Sequence, residues 1–289
     1  MVSVKSLISA GAAAFLLSTA ALAADLPMPP VYQPPTPVVI EPSGWYLRGD
    51  VGIGIQTFND FTYTMTNPAF VWPADWSIVQ HEIKDPTILG FGIGYEVNNW
   101  LRFDVTGEYR TKVVVKAVGS YTANCNTGGG GGTCFDYYDA DHSAAVFLAN
   151  AYVDLGTWWC LTPYIGGGVG AAYNTISDIT DTGYIGTSST TGFGLAFNDA
   201  SAWTFAWDVT AGLTYNVSNN FKVDFNWRYL SLGSPQSAVV ACQNTSPCAG
   251  AYYGLKDLTS QDFRIGFRWM LQPETPVVVA PPPPLPMRG

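Results

Sequence analysis

Charge is scarce in this chain. Asp, Glu, Lys and Arg together make up 12% of its 289 residues, with 13 basic residues against 22 acidic ones and a formal net charge of −9. No cluster of Lys and Arg is available to neutralise phosphates, which excludes nucleic acid as a partner. Past the N-terminus there is no run of roughly 18 apolar residues, so no helix can span a bilayer. Histidine occurs twice, at His81 and His142. The five cysteines show no paired CxxC spacing, so a zinc-type centre has no ligand pattern and no cofactor is expected. Glycine (30 residues) and aromatics (14%) are plentiful instead, which suits many strands and turns.

The clearest pattern runs from Ser201 to Gly233. Trp203, Phe205, Trp207, Val209, Ala211, Leu213, Tyr215 and Val217 alternate with Thr204, Ala206, Asp208, Thr210, Gly212, Thr214 and Asn216. After Ser218-Asn219-Asn220 the alternation resumes, with Phe221, Val223, Phe225, Trp227 and Tyr229 against Lys222, Asp224, Asn226 and Arg228. Successive strand side chains point to opposite faces, so this is a hairpin with one apolar and one polar face. Its apolar face is rich in Trp, Tyr and Phe, and its strands run to about ten residues or more, the length of a tilted bilayer-spanning strand.

The chain ends read differently. Residues 1–23 have the form of a secretory signal peptide: Lys5 precedes the apolar stretch Leu7 to Leu17, and Ala21-Leu22-Ala23 supplies the small-x-small cleavage site before Ala24. Pro-rich segments follow at 24–43 and close the chain at 272–289. Their prolines favour extended polyproline II, which makes them spacers with no core of their own. The region 44–271 between them is expected to hold all the folded structure.

Eight strands are predicted there, at Trp45–Thr57, Thr87–Val97, Trp100–Lys116, His142–Leu155, Thr162–Ile176, the two of the hairpin, and Leu258–Leu271. Connections after the second, fourth and sixth are short. Those after the first, third, fifth and seventh (Phe58–Pro86, Ala117–Asp141, Ser177–Ala200 and Ser231–Asp257) are each on the order of 25 residues, well above the usual connection length. Strict alternation of short and long connections is the mark of an outer-membrane barrel, with short turns in the periplasm and long loops outside. The predicted fold is therefore all-β: an eight-stranded antiparallel up-and-down transmembrane β-barrel with four long external loops and two periplasmic Pro-rich arms.

The polar faces of these strands carry Arg48, Arg102, Arg110, Lys112, Lys116, Lys222, Arg228, Arg264 and Arg268, nine of the thirteen basic residues. The acids Asp50, Glu96, Asp104, Glu108, Asp154, Asp208, Asp224 and Asp262 face the same way. An eight-stranded barrel is wide enough inside only for side chains, and unpaired buried charge is costly to desolvate. Two readings follow: a plug of ion pairs, or the lining of an ion-selective pore. The plug accounts for the near balance of sign.

Other candidates are weaker. Cys125 and Cys134 bracket a Gly-rich stretch of the second long loop, and Cys242 and Cys248 bracket QNTSP in the fourth. Each pair forms either a local disulfide in an oxidising compartment or two free thiols. Cys160, in a predicted periplasmic turn, has no obvious partner. His142-Ser143 with Asp139 or Asp141 offers the residue types of a hydrolase, but adjacent strand residues point to opposite faces and cannot cooperate, so no enzyme is expected. Haem capture through His81, His142 or loop tyrosines such as Tyr137 and Tyr138 is a further alternative with no ligand spacing behind it. The Gly166-Gly167-Gly168-x-Gly170 run sits mid-strand with no helix after it, so it relieves crowding or permits bending rather than cradling phosphate.

SGWYLRGDVGIG at the first strand, FLANAYVDLG with LTPYIGGGVGAAYN at the fourth and fifth, and FRIGFRWML at the last resemble the small outer-membrane β-barrel surface proteins of alphaproteobacteria. These are porin-like surface antigens with an OmpA-transmembrane-type barrel. The chain runs past Trp269 into a Pro-rich tail, while Phe263, Phe267 and Trp269 keep the aromatic alternation of a final strand. The resemblance implies a Gram-negative outer-membrane location and a non-catalytic role in envelope integrity and at the surface. It also implies outer-membrane lipid, lipopolysaccharide and the barrel-assembly machinery as partners. Some relatives begin, once processed, with Ala-Asp joined covalently to peptidoglycan, and Ala24-Asp25 after Ala23 matches that start. The arm behind it would reach: about 20 residues at about 3.1 Å each span on the order of 60 Å. A small passive channel is the competing function.

Overall fold

The computed structural model describes residues 44–66, 74–122, 132–185, 188–189, 194–195, 199–242 and 250–271. The expected signal peptide and both Pro-rich arms lie outside the described residues. The described residues all belong to one compact unit.

Eight long strands form that unit's wall: β1 (Gly44–Thr57), β2 (Thr87–Glu96), β3 (Leu101–Tyr121), β4 (Cys134–Asp154), β5 (Leu161–Ile185), β6 (Ala200–Asn216), β7 (Phe221–Gly233) and β8 (Leu258–Met270). Each pairs antiparallel with its sequence neighbour, and β8 closes the ring on β1 in a continuous register from Tyr46↔Met270 to Thr57↔Thr259. The result is an up-and-down barrel with no free edge, so backbone groups along the wall bond to one another.

Period-two alternation decides which way each residue faces. Outward positions are apolar and open to the bilayer: Phe91 is 73% exposed, Phe205 66% and Trp203 61%. In a soluble protein such exposure would drive association; here it forms a lipid-facing belt. Inward positions are buried and mostly polar. Turn chemistry fixes two of the short connections. The Asn98 side chain accepts from the backbone N–H groups of Trp100 (3.0 Å) and Leu101 (2.8 Å), and the Ser218 hydroxyl accepts from those of Asn220 (3.3 Å) and Phe221 (3.1 Å).

The outer ends depart from expectation. Residues predicted to lie in loops extend β3 to Tyr121, start β4 at Cys134 and carry β5 to Ile185. The first long connection holds strands Asp60–Met65 and Ser77–Ile83, the second of which pairs with β3. The fourth holds Ala251–Lys256, which pairs with Asp60–Met65.

Two bulges change which way these outer ends face. In β3 the register slips between Arg110 and Val113, and in β5 it slips opposite Asp139/Asp141, where Asp178 takes φ 52°. One extra residue in a strand reverses which face every later residue occupies. Lys112 and Lys116, expected inside, therefore point outward with side chains 52% and 59% exposed. Val113 and Val115, which alternate with them, are buried.

Gly170 sits tight against the β4 backbone. A Cβ there would lie 1.9 Å from the Phe147 carbonyl oxygen, whereas at Gly49 the nearest atom would be 3.9 Å away. Gly170→Val is expected to cost about 2–3 kcal/mol by overpacking, and Gly49→Val to stay within ~0.5 kcal/mol. Urea titration of the two variants refolded in micelles measures the difference.

Candidate functional site

The largest convergence of charged side chains among the described residues is in the lumen, and it is built in layers. Nearest the periplasm, Glu96 accepts from Lys222 Nζ (2.9 and 2.8 Å) and from Arg268 Nη1 (2.8 Å). Arg268 also grips Asp224 with two bonds, Nε to Oδ2 at 2.7 Å and Nη2 to Oδ1 at 3.0 Å. Beside them, the Arg102 guanidinium lies between two rings, 4.1 Å from the Tyr152 centroid and 4.4 Å from Tyr164. Only its Nε reaches an acid, Asp154, at 3.2 Å. Both Nη atoms lack a hydrogen-bond partner, and the two π faces take the place of acceptors.

One step outward, Arg48 forks onto Asp50 (2.9 and 2.7 Å) and sends Nη1 to Asp104 (2.7 Å). Asp104 also accepts from Asn150 Nδ2 (2.7 Å) and the Tyr46 hydroxyl (3.1 Å). Above that, Arg110 makes two bonds to Asp262 (3.0 and 2.8 Å), and Arg228 Nη2 reaches both Glu108 oxygens (2.7 Å each) and Asp262 (2.6 Å). Arg264 bonds the Asn226 side chain (2.9 Å) and lies 3.6 Å from Glu108; Asp208 lies 3.6 Å from Arg228. Arginine suits these positions because its planar fork meets carboxylates two bonds at a time and holds its charge when buried.

Of the seventeen charges read from the sequence as inward-facing, Arg48, Asp50, Arg102, Asp104, Glu108, Arg110, Asp208, Asp224, Arg228, Arg264 and Arg268 are buried in this network. With Lys112 and Lys116 moved outside, seven cations (those six arginines of the network with Lys222, counting Arg48, Arg102, Arg110, Arg228, Arg264 and Arg268) face eight acids. The charge is thus close to balanced, as a buried set must be.

Sequence reasoning missed what lies above. Ala144, Val146, Leu148, Ala172, Ile176, Ala206, Leu230, Leu232 and Leu258 form an apolar layer over the charges. It continues into an external cap in which the rings of Phe61, Tyr138 and Tyr253 pack against one another, with centroids 5.1–5.5 Å apart. The signal was present in Tyr138-x-Ala140-x-His142-x-Ala144, which keeps the β4 alternation going through the supposed loop.

The remaining candidates are dispersed. His142 is 1% exposed and its Nε2 sits 3.0 Å from Asn174 Oδ1; His81 is exposed against the Phe58 ring at 4.6 Å. Asp139 pairs with Lys116 (3.2 Å) and Asp141 with Lys112 (3.4 Å) at the outer rim. Cys160 is exposed. Ala23, Ala24, Asp25, Cys125 and Cys248 lie outside the described residues.

A closed antiparallel ring with a lipid-facing aromatic belt and a polar interior is an outer-membrane β-barrel protein. The sequence matches the family described as outer membrane protein beta-barrel domain over residues 10–270, and the chain belongs to that family. It is 32% identical over 231 residues to an uncharacterized protein of Brucella abortus (strain 2308), covering 73% of this chain and 76% of that protein. It is 32% identical over 88 residues to outer membrane protein PagN of Salmonella typhimurium (strain LT2), covering 30% and 34%. Among solved structures, OprG of Pseudomonas aeruginosa aligns at 12% identity and TM-score 0.45, covering 80% of this chain and 97% of that one. Neisserial surface protein A aligns at 15% and 0.40, covering 80% and 100%.

Asp262 joins two arginines, so Asp262→Asn should leave both short of counter-charge and destabilise the barrel by about 3–5 kcal/mol. Lys116→Ala, at the exposed rim, should leave the urea midpoint unchanged. Urea unfolding of both refolded variants, followed by tryptophan fluorescence, tests the contrast.

Proposed function

We propose that this protein is a non-enzymatic structural and surface protein of the outer membrane, supporting envelope integrity and presenting its external strands and loops for adhesion or ligand contact. The observation that carries this reading is the filled lumen. Layered ion pairs under an apolar cap leave the outside of the barrel and the two chain ends as the surfaces free to act. Long external segments on a rigid wall are the usual carriers of binding function.

On this reading residues 1–23 direct export and are removed. The cysteine pairs Cys125/Cys134 and Cys242/Cys248 close two external loops, shortening the ensemble each loop must lose on folding. Lipopolysaccharide surrounds the external wall, and the barrel-assembly machinery inserts it. Ala24 then begins the mature chain, and the Pro-rich arm behind it tethers the barrel to peptidoglycan. The arm's stiffness supports this, because polyproline II segments hold their length where a Gly-rich linker would coil.

Cell-wall sacculi boiled in detergent and digested with a muramidase provide the test. Mass spectrometry is expected to find the peptide beginning at Ala24 carrying a muropeptide. Recovery of that peptide only in unmodified form, from the membrane fraction, would end the tether reading.

A further inference from the structure

Beyond the lipid-facing belt, β4 and β5 bring two carboxylates together inside the cap. Asp136 is 3% exposed and Asp181 5%. Asp136 lies opposite Gly183 and Asp181 opposite Tyr138. The two acids are therefore diagonal neighbours on one face, with backbones roughly 7–8 Å apart and side chains able to approach more closely.

Their surroundings supply donors but no counter-charge. The Tyr253 hydroxyl, from Ala251–Lys256, donates to Asp181 Oδ2 at 2.9 Å, while Asp181 Oδ1 has no partner. Asp136 is faced by the Trp76 indole N–H and the Tyr138 hydroxyl. Tyr121 of β3 lies beside both acids, and Phe61 closes the other side against Tyr138 and Tyr253. The other charges nearby are turned away: Asp75 accepts from the Thr122 backbone (2.7 Å), Lys116 pairs with Asp139, and Lys112 pairs with Asp178 and Asp141 on the outer face. Among the described residues no Lys, Arg or His acts on either carboxylate. Two buried acids without a cation cannot both ionise cheaply, because each loses hydration and the pair repel.

We propose that the external cap is a pH-dependent closure: Asp136 and Asp181 hold at least one proton between them while the cap is packed, and their full ionisation loosens the Ala251–Lys256 strand and the Trp76 segment from β4 and β5. Burial pushes Asp136 up to about 6 and Asp181 up to about 7, and repulsion from Asp136 adds to the second. Both values lie above the unfolded carboxylate value of about 3.9. Between about pH 4 and pH 7 the packed cap thus binds more protons than the open one, so its stability is full below about pH 4 and falls as pH rises through that window. At neutral pH the cap is at its loosest, and acidification tightens it. The bulges in β3 and β5 make this possible, since they turn Asp181 inward and Lys112 and Lys116 outward, away from the pair.

The test is hydrogen exchange read by mass spectrometry on the full chain refolded in micelles at pH 5 and pH 8, corrected for intrinsic exchange. Protection in 134–138 and 251–256 should fall about tenfold or more at pH 8, the change expected for one pH unit of linked titration or more, while 262–269 in the barrel stays protected. Asp181→Asn removes one of the two linked titrations and puts a neutral amide donor beside Asp136, so protection should fall much less between pH 5 and pH 8 than in the unaltered chain. Equal protection of the unaltered chain at pH 5 and pH 8 overturns the proposal, and so does an Asp181→Asn chain that loses protection as the unaltered one does. Recovery of protection at pH 8 on adding calcium ions alone would also overturn it, by making the pair a cation site. Should the variant fail to refold, the comparison of the unaltered chain at the two pH values decides.

Discussion

A ring of eight strands encloses a space that only side chains can fill, and polar backbone and charge inside it must be satisfied without water. The grip of Arg228 and Arg110 on Glu108 and Asp262 answers that constraint. These four groups come from β3, β7 and β8, so strands far apart in sequence are clamped across the lumen by bonds of 2.6–3.2 Å. The Arg48–Asp50–Asp104 and Arg268–Asp224–Glu96 groups repeat the arrangement toward the periplasm. Removing one partner strands another charge, which is why such a network tolerates little change.

The outside follows from the same geometry. If inward positions are polar, the alternating outward ones are free to be apolar, and the belt of Trp, Phe, Ile and Val lets the bilayer act as the second half of the core. Above the belt the environment changes from lipid to water, and the chain changes its logic with it. Bulges reverse the facing of β3 and β5, hydrophobic residues turn inward, and the cap packs like a small soluble β domain around Phe61, Tyr138 and Tyr253. On the proposed reading, function sits on that cap, on the loops or on the arms, because the lumen is filled by the side chains that hold the wall together.

Most of the wall was legible in the sequence because its signal is repetitive. Trp203 to Val217 and Phe221 to Tyr229 alternate over many residues, and a one-residue error would expose every charge to lipid. The interior network was legible for the same reason, as a set of charges in phase, though which pairs with which was not. What stayed hidden was wherever the period broke. Thr111-Lys112 look like ordinary strand residues and Ser177-Asp178 like the start of a loop, and nothing local marks either pair as holding the extra residue of a bulge; carrying the β3 phase past that point puts Lys112 and Lys116 inward. Ser77–Ile83 mixes polar and apolar residues without strict alternation, and Ala251–Lys256 is only six residues long, so neither stands out from the loops around it. The pairing of Asp136 with Asp181 depends on β4–β5 register above a bulge, which a single sequence does not state.

The central claim is that the lumen is closed by paired charges and an apolar layer. Single-channel recording of the refolded full chain in planar bilayers tests it most directly. A closed lumen predicts no steady ohmic conductance, and none created by charge swaps at Arg102 or Asp104 in chains that still fold. A stable open current whose cation-to-anion preference shifts with those swaps would contradict the account and make the same residues the lining of a pore.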